Sequence, residues 1–181
     1  MDYDLRDAPW LPEDAVRFLE SFLQPSHRVL ELGGGSSTIW FSHHCSAIRT
    51  YENDTALIAV LREHVDHRCM AVFAGPEKLD EYPYLSQGYY DVVLIDGQVD
   101  RARSLLACVP LVKPGGIIMA DNWDWYERDP SMVAVIQDRL ALWNFSVARQ
   151  RQPDKHGFRY APGNPPYLWA AAWWHRPLET A

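Results

Sequence analysis

Cysteine is scarce in this 181-residue chain, with three residues in all. Cys45, Cys69 and Cys108 are odd in number, far apart and without metal-type spacing. That excludes a disulfide framework and fits reduced thiols in a cytoplasmic protein. Long apolar runs are also missing. None reaches the roughly 20 residues of a bilayer-spanning helix, so no membrane partner is expected. No basic run is present. Lys+Arg total 17 against 24 Asp+Glu, a net charge of −7. Such a surface is a poor footprint for nucleic acid. The opening stretch MDYDLRDAPWLPED is acidic where a signal peptide would be basic. There is no internal repeat, no low-complexity segment and no G-x-S-x-G nucleophile elbow.

What is there is ordinary globular material, 48% hydrophobic and 23% charged. Its length suits one domain spanning residues 1–181 with a single core. Apolar residues recur at helical spacing over 12–23, predicting a cover helix within 1–26. A short apolar run at 28–32 ends at Gly33-Gly34-Gly35 and reads as a buried strand. A helix over 36–47, a strand over 48–52, a helix capped by Asn53 or Asp54 and a strand over 69–73 follow. Residues 74–90 read as loop. The clearest strand is 91–96, followed by a helix to about 109, a tight turn at Lys113-Pro114-Gly115-Gly116 and a strand over 117–120. A helix over 131–143 and strands over 145–149 and 167–174 complete the chain, with a long loop over 150–166. Strands alternating with helices imply an α/β fold, a parallel sheet with helices on both faces. Ligands of such sheets bind at the carboxyl ends of the strands.

The residues at those ends carry the chemistry. Three consecutive glycines after a strand let main chain approach a ligand closely, and the next helix begins with free N–H groups at Ser36. A dinucleotide fingerprint counted from Gly33 needs glycine at 38, where Thr38 stands. Glu31, two residues before Gly33, would welcome a cationic amine or sulfonium and repel a diphosphate. Glu52 ends the second strand, where a carboxylate can accept both hydroxyls of a ribose. That feature serves NAD-binding folds as well.

Glu31-x-Gly33-x-Gly35, Glu52, Asp91-Val-Val-Leu-Ile-Asp96 and Lys113-Pro-Gly-Gly116, in this order and spacing over residues 27–122, resemble class I S-adenosylmethionine-dependent methyltransferases. The resemblance implies a Rossmann-like, mostly parallel seven-stranded sheet of order 3-2-1-4-5-7-6 ending in an antiparallel hairpin. It implies S-adenosylmethionine as cofactor, with contacts from Glu31, Gly33, Gly34, Gly35, Ser36, Glu52, Asn53 and Asp96 and an adenine contact at Ala74 and Gly75. Asp96 with Asp121 and Asn122 forms a hard-oxygen set suited to Mg²⁺. In that respect the chain resembles the catechol-type, metal-dependent O-methyltransferases, whose metal lowers the pKa of a substrate hydroxyl. Those enzymes carry a lysine where this chain has Val99, and longer N-terminal helices.

Trp123, Trp125 and Tyr126 follow directly and suit either stacking on a planar substrate or packing. Trp40, Trp143, Trp169, Trp173 and Trp174 read as packing residues. His64 and His67 fall on a helix away from the strand ends, and His43 and His44 late in another. His156, in the long loop, is the one histidine placed to act as a general base. The expectation is methyl transfer to a small-molecule acceptor, through a hydroxyl oxygen or, if no metal binds, an amine oriented by Asp96 or Asp121, with Asp96, Asp121 and His156 as catalytic candidates. The short cover and the 8 tryptophans are compatible with a homodimer. An NAD-dependent oxidoreductase and a non-catalytic scaffold of the same fold are the alternatives.

Overall fold

The computed structural model describes residues 3, 5–65, 69–73, 85–97, 100–151 and 168–178. Strands β1 (Arg28–Leu32), β2 (Ala47–Glu52), β3 (Cys69–Phe73), β4 (Tyr90–Ile95), β5 (Val112–Ala120), β6 (Asn144–Arg151) and β7 (Leu168–His175) form one sheet in the order β3-β2-β1-β4-β5-β7-β6. The first five pair in parallel, and β7 runs antiparallel between β5 and β6. Helices α1 (Glu13–Phe22), α2 (Ser36–His44), α3 (Thr55–His64), α4 (Arg101–Cys108), α5 (Trp123–Tyr126) and α6 (Pro130–Arg139) connect them. The result is the Rossmann-like α/β arrangement with a terminal antiparallel hairpin.

Alternation along the strands sorts the core into two layers. Val29, Val92, Leu94, Ile117 and Met119 pack with Ala15 and Leu19 of α1 and with Trp40 and Phe41 of α2. Leu30, Leu32, Val93, Ile95, Ile118 and Ala120 pack with Leu105 of α4, Trp123 and Tyr126 of α5 and Ile136 of α6. Both faces are covered, which is why the strands read as unbroken apolar runs. Asp54 caps α3 by accepting from the Ala56 and Leu57 N–H groups, and Asp129 caps α6 likewise at Ser131 and Met132.

Several local expectations are corrected. Lys113-Pro114-Gly115-Gly116 is not a free turn before a short strand; it lies inside β5 as an irregularity. The step from Tyr90 to Val92 on β4 is matched on β5 by the step from Val112 to Ile117. Gly115 takes a φ of +78° there, and the Lys113 ammonium reaches Asp91 at 2.8 Å. Helix α2 stops at His44 because Cys45 is already extended, with φ −139° and ψ 165°. Helix α5 was not expected; it follows a left-handed residue, Asn122, with φ 51° and ψ 42°. Strand β6 runs on through Gln150 and Arg151, two residues expected in the loop. No helix among the described residues is long and apolar enough to cross a membrane.

Strand β1 pairs with β2 on one side and β4 on the other, so successive connections leave it in opposite directions. A crevice opens beyond the carboxyl ends of β1 and β4.

Candidate functional site

The three glycines end β1 with different roles. Gly33 has φ +96°, and a Cβ there would lie 2.5 Å from the Gly97 nitrogen after β4. A Cβ on Gly34 would meet Leu61 Cδ1 at 2.8 Å and Thr50 Cγ2 at 3.1 Å. These two glycines let β1, β2, β4 and α3 close on one another. Of the three, Gly35 alone has no atom of the described residues within 4 Å of its Cβ position.

Glu31 does not reach that space. It shares the sheet face of Val29 and is fully buried beneath α2. The Ser37 and Thr38 hydroxyls donate to it at 2.5 and 2.6 Å, and Thr50 of β2 donates at 2.7 Å. Thr38 Oγ1 in turn accepts the Gly35 N–H at 3.0 Å. Burial pushes the Glu31 carboxyl up to about 7, against the pull of its three hydroxyl donors. Glu31 therefore braces the glycine loop against α2 from behind instead of lining the crevice.

Glu52 does line it. Its Oε2 accepts the Gly34 N–H at 2.8 Å, and its Oε1 accepts from the Asn53 and Asp54 nitrogens at 2.7 and 2.9 Å. The carboxylate is fixed at the carboxyl end of β2, and Asn53 beside it contributes main chain. The cavity measures about 420 Å³ and is lined by Tyr3, Gly33, Gly34, Glu52, Asn53, Leu57, Asp96 and Gly97, among others. A second cavity of about 220 Å³ shares Tyr3, Gly34, Leu57 and Asp96 and adds Trp10, Gly35 and Ser36. These volumes suit a nucleoside-sized ligand with an extension. The Ser36 hydroxyl accepts the Arg6 N–H at 2.9 Å, so the N-terminal segment is tied to the start of α2. Tyr3 donates to Asp54 Oδ2 at 2.8 Å across the cavity mouth.

Asp96 and Asp121, beyond adjacent strands β4 and β5, come together as the sequence suggested. They stand close enough for the charge of Asp96 to act on Asp121. Burial pushes Asp96 up to about 6, with Arg101 opposing. Asp121, only 4% exposed, is pushed well above the carboxylate range by burial and by Asp96, although Trp169 Nε1 donates to it at 2.8 Å. Asp96 lines both cavities.

The metal expected at Asp96, Asp121 and Asn122 does not fit. The Arg101 guanidinium, from the first residue of α4, occupies the space between them. Its Nη1 donates to the Asp121 carbonyl at 3.1 Å and to Asn122 Oδ1 at 2.7 Å. Its Nη2 donates to the Asp96 carbonyl at 2.9 Å and approaches Asp96 Oδ1 at 3.5 Å. No cluster of three or more His, Cys, Asp or Glu side chains suited to a metal occurs among the described residues.

The aromatic run divides. Trp123 and Tyr126 are buried in the core, and Trp125 is half exposed, with the guanidinium of Arg101 5.1 Å from its ring. The Tyr126 hydroxyl is buried and has no hydrogen-bond partner among the described residues. Trp169 was read as packing alone, yet its indole N–H fixes Asp121. Ala74, Gly75, His67 and His156 lie outside the described residues. Sequence reasoning missed Arg101, Tyr3 and Trp10. The cation at 101 was visible as a base close after the strand-four acid; nothing local signalled the other two.

No protein-family model matches the chain, and no curated protein matches it in sequence. Solved structures do resemble it in fold. A candidate O-methyltransferase from Klebsiella pneumoniae superposes with a TM-score of 0.65 at 18% identity, covering 93% of this chain and 84% of that one. The tRNA (m1A58) methyltransferase of Aquifex aeolicus gives 0.61 at 14% identity, covering 99% and 74%. Spermidine synthase from Thermotoga maritima gives 0.57 at 17% identity, and here the chain, 87% covered, spans 56% of the other's length. The chain thus shares its fold with methyltransferases and with a spermidine synthase.

Proposed function

We propose that this chain binds S-adenosylmethionine in the crevice beyond β1, β2 and β4 and transfers its methyl group to a hydroxyl oxygen of a small molecule. One observation carries the reading. A carboxylate fixed at the end of β2, Glu52, faces a cavity of about 420 Å³ floored by the main chain of Gly33 and Gly34. That pairs an acceptor for a ribose hydroxyl with backbone bare enough for a nucleoside to lie against it. Three of the four lone-pair directions of Glu52 are taken by Gly34, Asn53 and Asp54. One direction on Oε2 is left for a ribose hydroxyl, not the two-hydroxyl grip expected from sequence.

When bound, the cofactor supplies an electrophilic methyl carbon on a sulfonium; transfer breaks the carbon–sulfur bond and forms a carbon–oxygen bond. The protein's part is alignment, exclusion of water and acceptance of the acceptor's proton. Asp96 is the proton acceptor in this reading. It lines both cavities, and burial raises its pKa to about 6 against the pull of Arg101, close to the working range of a base at neutral pH. Arg101 beside it favours an acceptor oxygen that develops negative charge as its proton leaves. Tyr3 and Trp10, on the N-terminal segment, wall the cavities from above.

Titration calorimetry with S-adenosylhomocysteine and, separately, with NADH tests this. Micromolar one-to-one binding of the first and none of the second is expected. NADH binding without S-adenosylhomocysteine binding would overturn the proposal in favour of an oxidoreductase. With cofactor binding in hand, radiolabelled methyl transfer screened over hydroxyl and amine compounds identifies the acceptor.

A further inference from the structure

The oxygens that sequence assigned to a metal are already satisfied by a side chain. Arg101 binds the carbonyl oxygens of Asp96 and Asp121 and the side-chain oxygen of Asn122 at 2.7–3.1 Å, and only 14% of its side chain is exposed. Asn122 sits at a positive φ of 51°, the one such residue other than glycine among those described. That conformation costs energy at most residues, and here it accompanies an Asn122 side chain aimed at the same guanidinium as the Asp121 carbonyl. The guanidinium brings a permanent +1 to these oxygens. A divalent ion would need its ligand oxygens at about 2.0–2.6 Å, in space the guanidinium fills. The buried Tyr126 hydroxyl, in the field of Arg101, Asp121 and Asp96, has no hydrogen-bond partner among the described residues.

We propose that Arg101 is a built-in cation holding the ends of β4 and β5 together in place of a divalent ion, and that removing its guanidinium turns the oxygens of Asp96, Asp121 and Asn122 into a divalent-cation site. The acceptor side of the cleft then works without metal. That consequence rests on the methyl-transfer reading; the exchange of one cation for another does not. Arg101 is a positioning residue: its terminal nitrogens are engaged with the protein, and it acts on the acceptor through Asp96.

The probe is Tb³⁺ luminescence on the full chain, because Trp169 is bonded to Asp121 and would sensitise an ion bound there. Wild type is expected to stay dark at micromolar Tb³⁺ and to show no heat with MnCl₂. Arg101→Ala is expected to light at least tenfold above wild type and to be quenched by competing Mg²⁺ or Mn²⁺. Arg101→Gln gives the same reading if the alanine variant does not fold, with circular dichroism as the control. Emission should vanish in Arg101→Gln/Asp121→Asn, and Arg101→Lys, which keeps a cation, should stay dark. Sensitised emission from wild type that Asp121→Asn removes would overturn the proposal, as would darkness in folded Arg101→Ala or Arg101→Gln. S-adenosylhomocysteine affinity of wild type, measured with EDTA and with MnCl₂, should agree within twofold. Failure of S-adenosylhomocysteine to bind at all would sink the methyl-transfer reading and leave the luminescence result standing.

Discussion

Substituting Glu52 by glutamine keeps the shape of the side chain and removes its charge. Its Oε1 holds the Asn53 and Asp54 nitrogens, and its Oε2 holds Gly34 at 2.8 Å with one lone-pair direction turned to the cavity. A hydrogen bond to a charged acceptor contributes about 1.5–3 kcal/mol. Loss of that one bond should weaken S-adenosylhomocysteine binding roughly 10- to 150-fold. The amide also places an NH₂ group against a main-chain N–H, which costs about 1–3 kcal/mol of stability. The two effects are read separately: binding by calorimetry well below the melting transition, and stability by urea denaturation. An affinity within twofold of wild type in a folded Glu52→Gln variant would refute the ribose assignment. So would an affinity loss that recovers fully once the variant is stabilised by cold or osmolyte.

Three further outcomes follow from the geometry. Gly33→Ala, strained at φ +96° and 2.5 Å from the Gly97 backbone, should lose about 3–4 kcal/mol from backbone strain and overpacking. Gly35→Ala, with no described residue within 4 Å, should melt with wild type yet bind S-adenosylhomocysteine more weakly; equal melting of the two variants would contradict this. Glu31 holds its proton up to about 7 when folded and only to its ordinary 4.5 when unfolded. The folded state binds more protons between those values, so stability falls as pH rises from 4.5 to about 7, by about 3 kcal/mol from this residue. Denaturation of Glu31→Gln against pH should lack that part of the decline, and parallel profiles would exclude it. With an acceptor in hand, the methylation rate should rise with pH through about 6 as Asp96 ionises; a rate flat from pH 5 to 8 would remove Asp96 as the base.

Much of the fold was legible because β1, β4 and the end of β5 are buried on both faces and so appear as apolar runs. Strand ends then pointed to Glu52 and Asp96, both of which line the cavity. Glu31 was misplaced although the signal to place it was present. It stands two residues after Val29 and between Leu30 and Leu32, so alternation puts it on the α2 face, away from the crevice. The metal reading failed for another reason. Asp96, Asp121 and Asn122 are the right residue types, and their convergence was correct. What the sequence did not reveal was that Arg101 folds back from the first turn of α4 across two strand ends. The contribution of Tyr3 and Trp10 is equally non-local, since it depends on the segment before α1 lying over the glycine loop.

The central claim is tested most directly by a crystal structure of the chain grown with S-adenosylhomocysteine. The account predicts the nucleoside along Gly33–Gly35, a ribose hydroxyl on Glu52 Oε2, the sulfur turned toward Asp96, and the Arg101 guanidinium still between Asp96 and Asn122. A nucleoside bound elsewhere, or a ribose making no contact with Glu52, would contradict it.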